Sequence, residues 1–142
     1  LVETTASLWR DRKINIFLDF SPDAVLIKGV PAQMEAAFRQ LLENAILFNR
    51  PGGTVSVKSF RDTSRPLIGV SISDTGVGIP KSETEKVFDS FYQVANYLTR
   101  KVGGVGLGLA LVKSIAEKHG GNVVVRSTLR QGSTFTLYVP AD

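Results

Sequence analysis

The sequence has 142 residues, a length that fits one compact domain, and its 43% apolar content is enough to build a core. Seventeen basic against thirteen acidic side chains leave a formal charge of +4, but they are scattered, without the aromatic-interleaved basic stripe that binds nucleic acid. There is no cysteine, which excludes disulfide frameworks and thiolate metal sites, and no apolar run approaches the ~20 residues of a membrane span.

The opening residues lack the apolar segment of a signal peptide, and the chain begins at Leu1 rather than Met. We therefore expect a single domain over residues 1–142, cut from a longer protein. The expected location is cytoplasmic, and the parent can still carry a membrane anchor.

In chain order, Thr4 to Arg12 suits a short helix anchored by Trp9. Ile14, Phe17 and Leu18 mark a strand, Ser21-Pro22-Asp23 a turn, and Val25-Leu26-Ile27 a second short strand. Pro31 suits the first turn of a helix, where its missing N–H costs nothing. From there Met34, Ala37, Phe38, Leu41, Leu42, Ala45 and Phe48 form one apolar stripe at helical spacing, ended by Asn49-Arg50-Pro51-Gly52-Gly53. Val55 and Val57, then Ile68, Val70 and Ile72, alternate with polar partners as two strands joined by a loop from Arg61 to Pro66.

After Ile79-Pro80, Ser82 and Glu85 form a capping box for a short helix to about Phe91. Tyr92 to Gly106 has no steady period, and its glycines suit a functional lid. Leu107 to His119 reads as a helix with Leu107, Ala110, Leu111, Ser114 and Ile115 on one face, stopped by Gly120-Gly121. Strands from Asn122 to Ser127 and Ser133 to Val139 close the chain, the second with Phe135, Leu137 and Val139 on one face. This order predicts a two-layer α/β sandwich: a mixed, mostly antiparallel sheet covered on one face by about three helices.

Three places do not suit a plain core. Asn44 sits at the edge of the apolar stripe beside Gln40 and Gln33, where an amide either bridges helix and loop or offers an oxygen to Mg²⁺. Asp74 shares the strand parity of Ile68, Val70 and Ile72, so its carboxylate points to the core side and needs a donor. The exocyclic amine of adenine would serve, with the glycines of Thr75-Gly76-Val77-Gly78 letting a flat ring approach. A turn capping the strand end explains the same residues. Gly103-Gly104-Val105-Gly106-Leu107-Gly108-Leu109 opens a helix, either as a hinge or as a phosphate cradle of free N–H groups, with Arg100 and Lys101 just upstream. A dinucleotide-binding fold would need a strand directly before the glycines, and an irregular loop stands there instead. Together the three places make a nucleotide site with separate parts for metal, base and phosphate.

From about Leu26 to Val139 the chain resembles the catalytic domain of sensor histidine kinases. That family belongs to the GHKL ATPase superfamily, which includes gyrase, a major heat-shock chaperone and mismatch-repair proteins. Gln40 to Phe48 (QLLENAILF) resembles the N-box, Asp74 to Pro80 (DTGVGIP) the first glycine box and Phe88 to Tyr92 (FDSFY) the phenylalanine box. Gly104 to Leu109 (GVGLGL) resembles the second glycine box, and Gly132-Ser133-Thr134-Phe135 the motif of the last strand. The resemblance implies a Bergerat-type ATP-binding fold and Mg-ATP as ligand. It assigns Mg²⁺ to Asn44, adenine to Asp74, and the carboxylate and its water to Ser133. Further ATP contacts would come from Phe48, Gly76, Gly78, Arg100, Lys101, Gly104, Gly106, Gly108 and Leu109.

The sequence departs from the family at three positions. Gln40 stands where Asn is usual, Leu47 where a phosphate-touching lysine is usual, and Val105 where Thr is more common. We expect Arg50, or Arg100 and Lys101, to take over for the lysine. The superfamily's energy-coupling members carry a catalytic glutamate at the Gln40 position. Glutamine cannot accept a proton, which favours a kinase over a hydrolytic motor. His119, the sole histidine, sits at a helix end where its ring suits the dipole, so we read it as structural.

The resemblance thus implies phosphoryl transfer from Mg-ATP to a histidine on the kinase's own dimerisation domain. A response regulator acts downstream, the parent is a homodimer, this fragment a monomer, and no nucleic acid takes part. The lid from Tyr92 to Lys101 is expected to order on Mg-ATP. Two alternatives remain: a degenerate nucleotide-binding or docking module without kinase activity, and an anti-sigma-type serine kinase.

Overall fold

The computed structural model describes residues 12–24, 26–89 and 108–142. Five strands form one sheet in the order β1-β2-β3-β5-β4: β1 is Asn15–Phe20, β2 Thr54–Arg61, β3 Leu67–Asp74, β4 Asn122–Thr128 and β5 Gly132–Pro140. β1 runs parallel to β2, and every other pair is antiparallel. The parallel pair needs a crossover, which the 17-residue helix α1, Pro31–Leu47, supplies. A second helix, α2, spans Gly108–Lys118.

Both helices cover the same face of the sheet. α1 buries Met34, Ala37, Leu41, Leu42, Ala45 and Ile46 against Val55, Ile68, Ile72, Leu137 and Val139. Each large aliphatic side chain so removed from water contributes roughly 1.5–3 kcal/mol. The opposite face carries a hydroxyl ladder across β3 and β5, Ser71 to Thr136 at 3.1 Å and Ser73 to Thr134 at 2.8 Å. The strand alternation in the sequence therefore describes a sheet with one dry face and one face that mixes hydroxyls with the edge-to-face pair Phe60 and Tyr138.

Several boundaries differ from expectation. Among the described residues, the segment around Leu26 and Ile27 makes only an isolated antiparallel bridge, Ile27 to Ala141. It is held to the end of β5 by Lys28 N–H to Pro140 O (2.9 Å), too short a stretch for a ladder. The capping box does not form. A 3-10 turn, Lys81–Glu83, follows Pro80, which occupies the cap position with no side-chain acceptor. From Thr84 to Asp89 turns and a bend stand where a helix was expected, the rest of that helix lying outside the described residues. Two α-helices, not three, cover the sheet among the described residues.

The buried face of α2 is Val112, Ile115 and Ala116, while Leu111 is 50% exposed. The expected face was thus turned, because α2 must meet both α1 and the sheet, and Leu111 points away from that corner. Gly120 (φ +82°) ends α2 in a conformation that side chains resist, and Gly121 N–H closes on Ala116 O at 2.9 Å. Most of the expected N-terminal helix and the lid from Tyr92 to Gly106 lie outside the described residues.

Candidate functional site

β3 ends at Asp74, where the chain leaves the sheet in a tight turn. Gly76 N–H donates to Asp74 Oδ1 at 2.9 Å and Ser133 N–H reaches the same oxygen at 3.3 Å. Oδ2 has no donor among the described residues. Burial pushes the carboxyl up to about 6, against the two N–H donors, which favour its ionised form. The expected core-side orientation is present. A half-buried carboxylate with one oxygen satisfied and one unclaimed is poised to accept a ligand's N–H.

Three parts of the chain grip this turn. From α1, Phe48 O accepts Val77 N–H at 3.2 Å. From β2, Thr54 O accepts Thr75 N–H at 3.2 Å, and Thr54 N–H donates to the Thr75 hydroxyl at 2.9 Å. From the β4–β5 hairpin, Arg130 N–H donates to Val77 O at 2.7 Å, and the Ser127 hydroxyl takes Ile79 N–H at 2.7 Å.

The glycines serve this grip. A Cβ on Gly76 would stand 2.1 Å from Phe48 O, and one on Gly78 (φ +72°) 2.2 Å from Thr128 O. Their missing side chains therefore admit the protein's own backbone, a different reason from the expected approach of a flat ring. Gly132, likewise, lies against Asp74 O.

Ser133 meets Asp74 in a way the sequence did not indicate. Its backbone N–H holds the carboxylate, while its hydroxyl pairs with Ser127 Oγ at 2.8 Å. Ser133 was expected to help hold the carboxylate, and its backbone N–H is the group that does so.

On α1, Gln40 Nε2 donates to Asn44 Oδ1 at 3.0 Å, one helical turn apart, while Gln33 is exposed. A carbonyl oxygen has two lone pairs, so Asn44 Oδ1 keeps one for a further partner. That donor chemistry fits Mg²⁺, which takes hard oxygen ligands and normally completes its shell with water and phosphate. Gly108, the first residue of α2, lies flat against the Gln40 amide, its absent Cβ 2.3 Å from that side chain's carbonyl carbon. The second glycine box and the N-box are thereby brought into contact. Leu109 packs on the core, and Phe88 meets Phe135 edge to face at 6.0 Å.

Phe48 caps α1, its N–H bonded to Asn44 O at 3.0 Å. Leu47 is half-buried, and Arg12 Nη1 donates to its carbonyl at 3.3 Å. Arg50 is exposed just beyond the helix end. Arg100, Lys101, Gly104 and Gly106 lie outside the described residues.

His119 is held twice. Its Nδ1 faces Ile115 O at 2.8 Å and its Nε2 accepts Val30 N–H at 3.1 Å. Accepting at Nε2 requires the neutral Nδ1–H tautomer. The ring therefore ties the end of α2 to the start of α1, and the expected structural role acts through hydrogen bonds rather than a charge on the dipole.

Asn49, Thr75 and Ser127 escaped the sequence reading. A polar residue before Pro-Gly-Gly reads as loop, and no local signal marks it as buried.

Comparison with known proteins agrees with this geometry. The family model described as histidine kinase-, DNA gyrase B- and HSP90-like ATPase matches residues 29–142. The circadian input-output histidine kinase CikA of Synechococcus elongatus is 43% identical over 115 residues, which are 81% of this chain and 15% of that protein. The sensor histidine kinase WalK of Bacillus subtilis is 40% identical over 100 residues, 70% of this chain and 16% of that protein. The chain thus spans about a sixth of these relatives. A solved mycobacterial sensor histidine kinase, MprB, superposes with a TM-score of 0.82 at 30% identity, covering 98% of this chain and 91% of that one.

Proposed function

Because the chain belongs to the histidine kinase-, DNA gyrase B- and HSP90-like ATPase family, we propose that it is the ATP-binding catalytic domain of a sensor histidine kinase. The observation that carries the proposal is the Asp74 carboxylate, half-buried, with Oδ1 fixed by two backbone N–H groups and Oδ2 open to accept the adenine amine. Adenine presents its amine at the six-position, where guanine presents a carbonyl oxygen, so a carboxylate that meets the base at that position selects adenine.

The domain's own residues position more than they react. Asp74 fixes the base. Asn44, oriented by Gln40, would hold Mg²⁺, which when bound neutralises phosphate charge and orients the γ-phosphoryl group. Gly104, Gly106 and Gly108 would cradle the phosphates, with Arg100 and Lys101, or Arg50, supplying cations in place of the usual lysine. In the transfer, the bond from the γ-phosphorus to the bridging oxygen breaks, ADP leaves, and a new P–N bond forms to an imidazole. In this reading that imidazole is on the parent's dimerisation domain, and His119, with both nitrogens engaged within the fold, is not the acceptor. Gln40 donates to Asn44 and has no basic oxygen for water activation, which supports transfer over hydrolysis.

In this reading the parent is a cytoplasmic-facing homodimer that passes its phosphoryl group to a response regulator. Among the described residues no helix is long and apolar enough to cross a membrane.

Calorimetric titration with a non-hydrolysable ATP analogue, with and without Mg²⁺, tests the reading. The parent should bind saturably, and Asp74→Asn should bind about 10- to 100-fold more weakly, as expected for losing a hydrogen bond to a charged acceptor. Parent-like binding by Asp74→Asn would overturn the base assignment. Arg50→Ala with unchanged affinity would remove Arg50 from the phosphate site.

A further inference from the structure

One buried polar side chain at this site has no part in the reading above. Asn49 follows the cap of α1 and is 7% exposed. Its Oδ1 accepts Arg50 N–H at 2.9 Å and the Thr75 hydroxyl at 3.0 Å, and its Nδ2 donates to Thr54 O at 3.0 Å. Thr75 Oγ1 in turn accepts Thr54 N–H at 2.9 Å. The direction of each bond follows. The threonine has a single hydrogen, given to Asn49, and uses a lone pair for Thr54.

Stopping a helix requires none of this. Phe48 N–H already closes on Asn44 O, and the turn beyond closes by Gly53 N–H to Arg50 O at 2.9 Å. What Asn49 adds is a side-chain link from the end of α1 to Thr75, which lies between Asp74 and Gly76. The packing there leaves no slack. A Cβ on Gly53 would stand 2.2 Å from Asn49 Oδ1, and one on Gly76 2.1 Å from Phe48 O. Gly76 N–H is also the donor that fixes Asp74 Oδ1. A shift of the Thr75-Gly76 segment must therefore re-aim Oδ2.

We infer that Asn49 is a positioning residue that sets base affinity and base selection without touching the nucleotide. It does so by locking the Asp74 turn to the end of the helix that carries Asn44. A carboxylate selects a base only when held within a fraction of an ångström of its working position, and that depends on the groups behind it. The inference rests on the proposed function, since it gives Asp74 the adenine.

The test compares the parent, Asn49→Ala, Thr75→Val, Thr75→Ser, the Asn49→Ala/Thr75→Val double variant and Asp74→Asn. Non-hydrolysable ATP and GTP analogues and inorganic tripolyphosphate are the probes, and the folded fraction is measured by circular dichroism at the same temperature. Asn49→Ala and Thr75→Val should each weaken the ATP analogue about tenfold and narrow the adenine-over-guanine ratio by a similar factor, with tripolyphosphate affinity unchanged. Thr75→Ser keeps the hydroxyl and should bind as the parent does. The double variant should lose little more than either single one, because both act through one link.

Parent-like base selection in folded Asn49→Ala or Thr75→Val would overturn the inference, as would an equal loss for tripolyphosphate. If Asn49→Ala does not fold, the Thr75→Val and Thr75→Ser pair decides the matter. Unaltered base selection in Asp74→Asn would instead defeat the adenine assignment, and the inference with it.

Discussion

Replacing Asp74 with asparagine should make the nucleotide-free protein more stable while disabling it. Burial raises the carboxyl from 3.8 to about 6. Between those values the folded state keeps a proton that the unfolded chain has released, so stability falls as pH rises from about 4 to about 6. At neutral pH the ionised carboxylate then costs on the order of 3 kcal/mol, about two pKa units at ~1.4 kcal/mol each. Asparagine does not titrate. Its Oδ1 can take the same two N–H donors, and its amide nitrogen would occupy the open position of Oδ2. Urea denaturation of the parent and Asp74→Asn, without nucleotide, at intervals from pH 4 to 7.5 measures the difference. The variant should match the parent near pH 4 and exceed it by about 2–3 kcal/mol at pH 7. The same concentration of ATP analogue should then stabilise the parent more than the variant. A difference that is absent at pH 7, or the same at every pH, would refute the claim that burial of this charge is the cost of the site.

The same carboxyl makes binding pH-dependent. Affinity for the ATP analogue should rise about tenfold from pH 5 to 7 as Asp74 ionises, and comparison with Asp74→Asn cancels the nucleotide's own titration. Gly76→Ala should cost more than about 2 kcal/mol in denaturation, because its Cβ would meet Phe48 O. Gly52→Ala, with φ +76° but nothing within 4 Å, should cost only about 1–2 kcal/mol. Leu137→Ala, at a fully buried position in the central sheet, should cost about 2–5 kcal/mol without changing nucleotide affinity per folded molecule.

Much of the fold was legible in the sequence, because its signals are local and periodic. Pro31 and the 3.6-residue stripe marked α1, and alternation marked β2, β3 and β5. Gly120-Gly121 marked the end of α2. Asp74 was found because a charge on the buried parity of a strand contradicts its surroundings, and Asn44 because an amide borders an apolar stripe. These are conflicts a sequence displays by itself. The order of strands, the parallel pairing of β1 and the face that α2 buries depend on which elements meet, and no local pattern carries that. Tertiary structure alone also decided how the site is held. Ser133 supports Asp74 through its backbone, the turn's glycines admit Phe48 O and Thr128 O, and Asn49 reaches Thr75 across 26 positions of sequence. Hydrogen bonds between distant segments leave no periodicity behind, so the sequence pointed to the candidate groups and only the folded chain showed what fixes them in place.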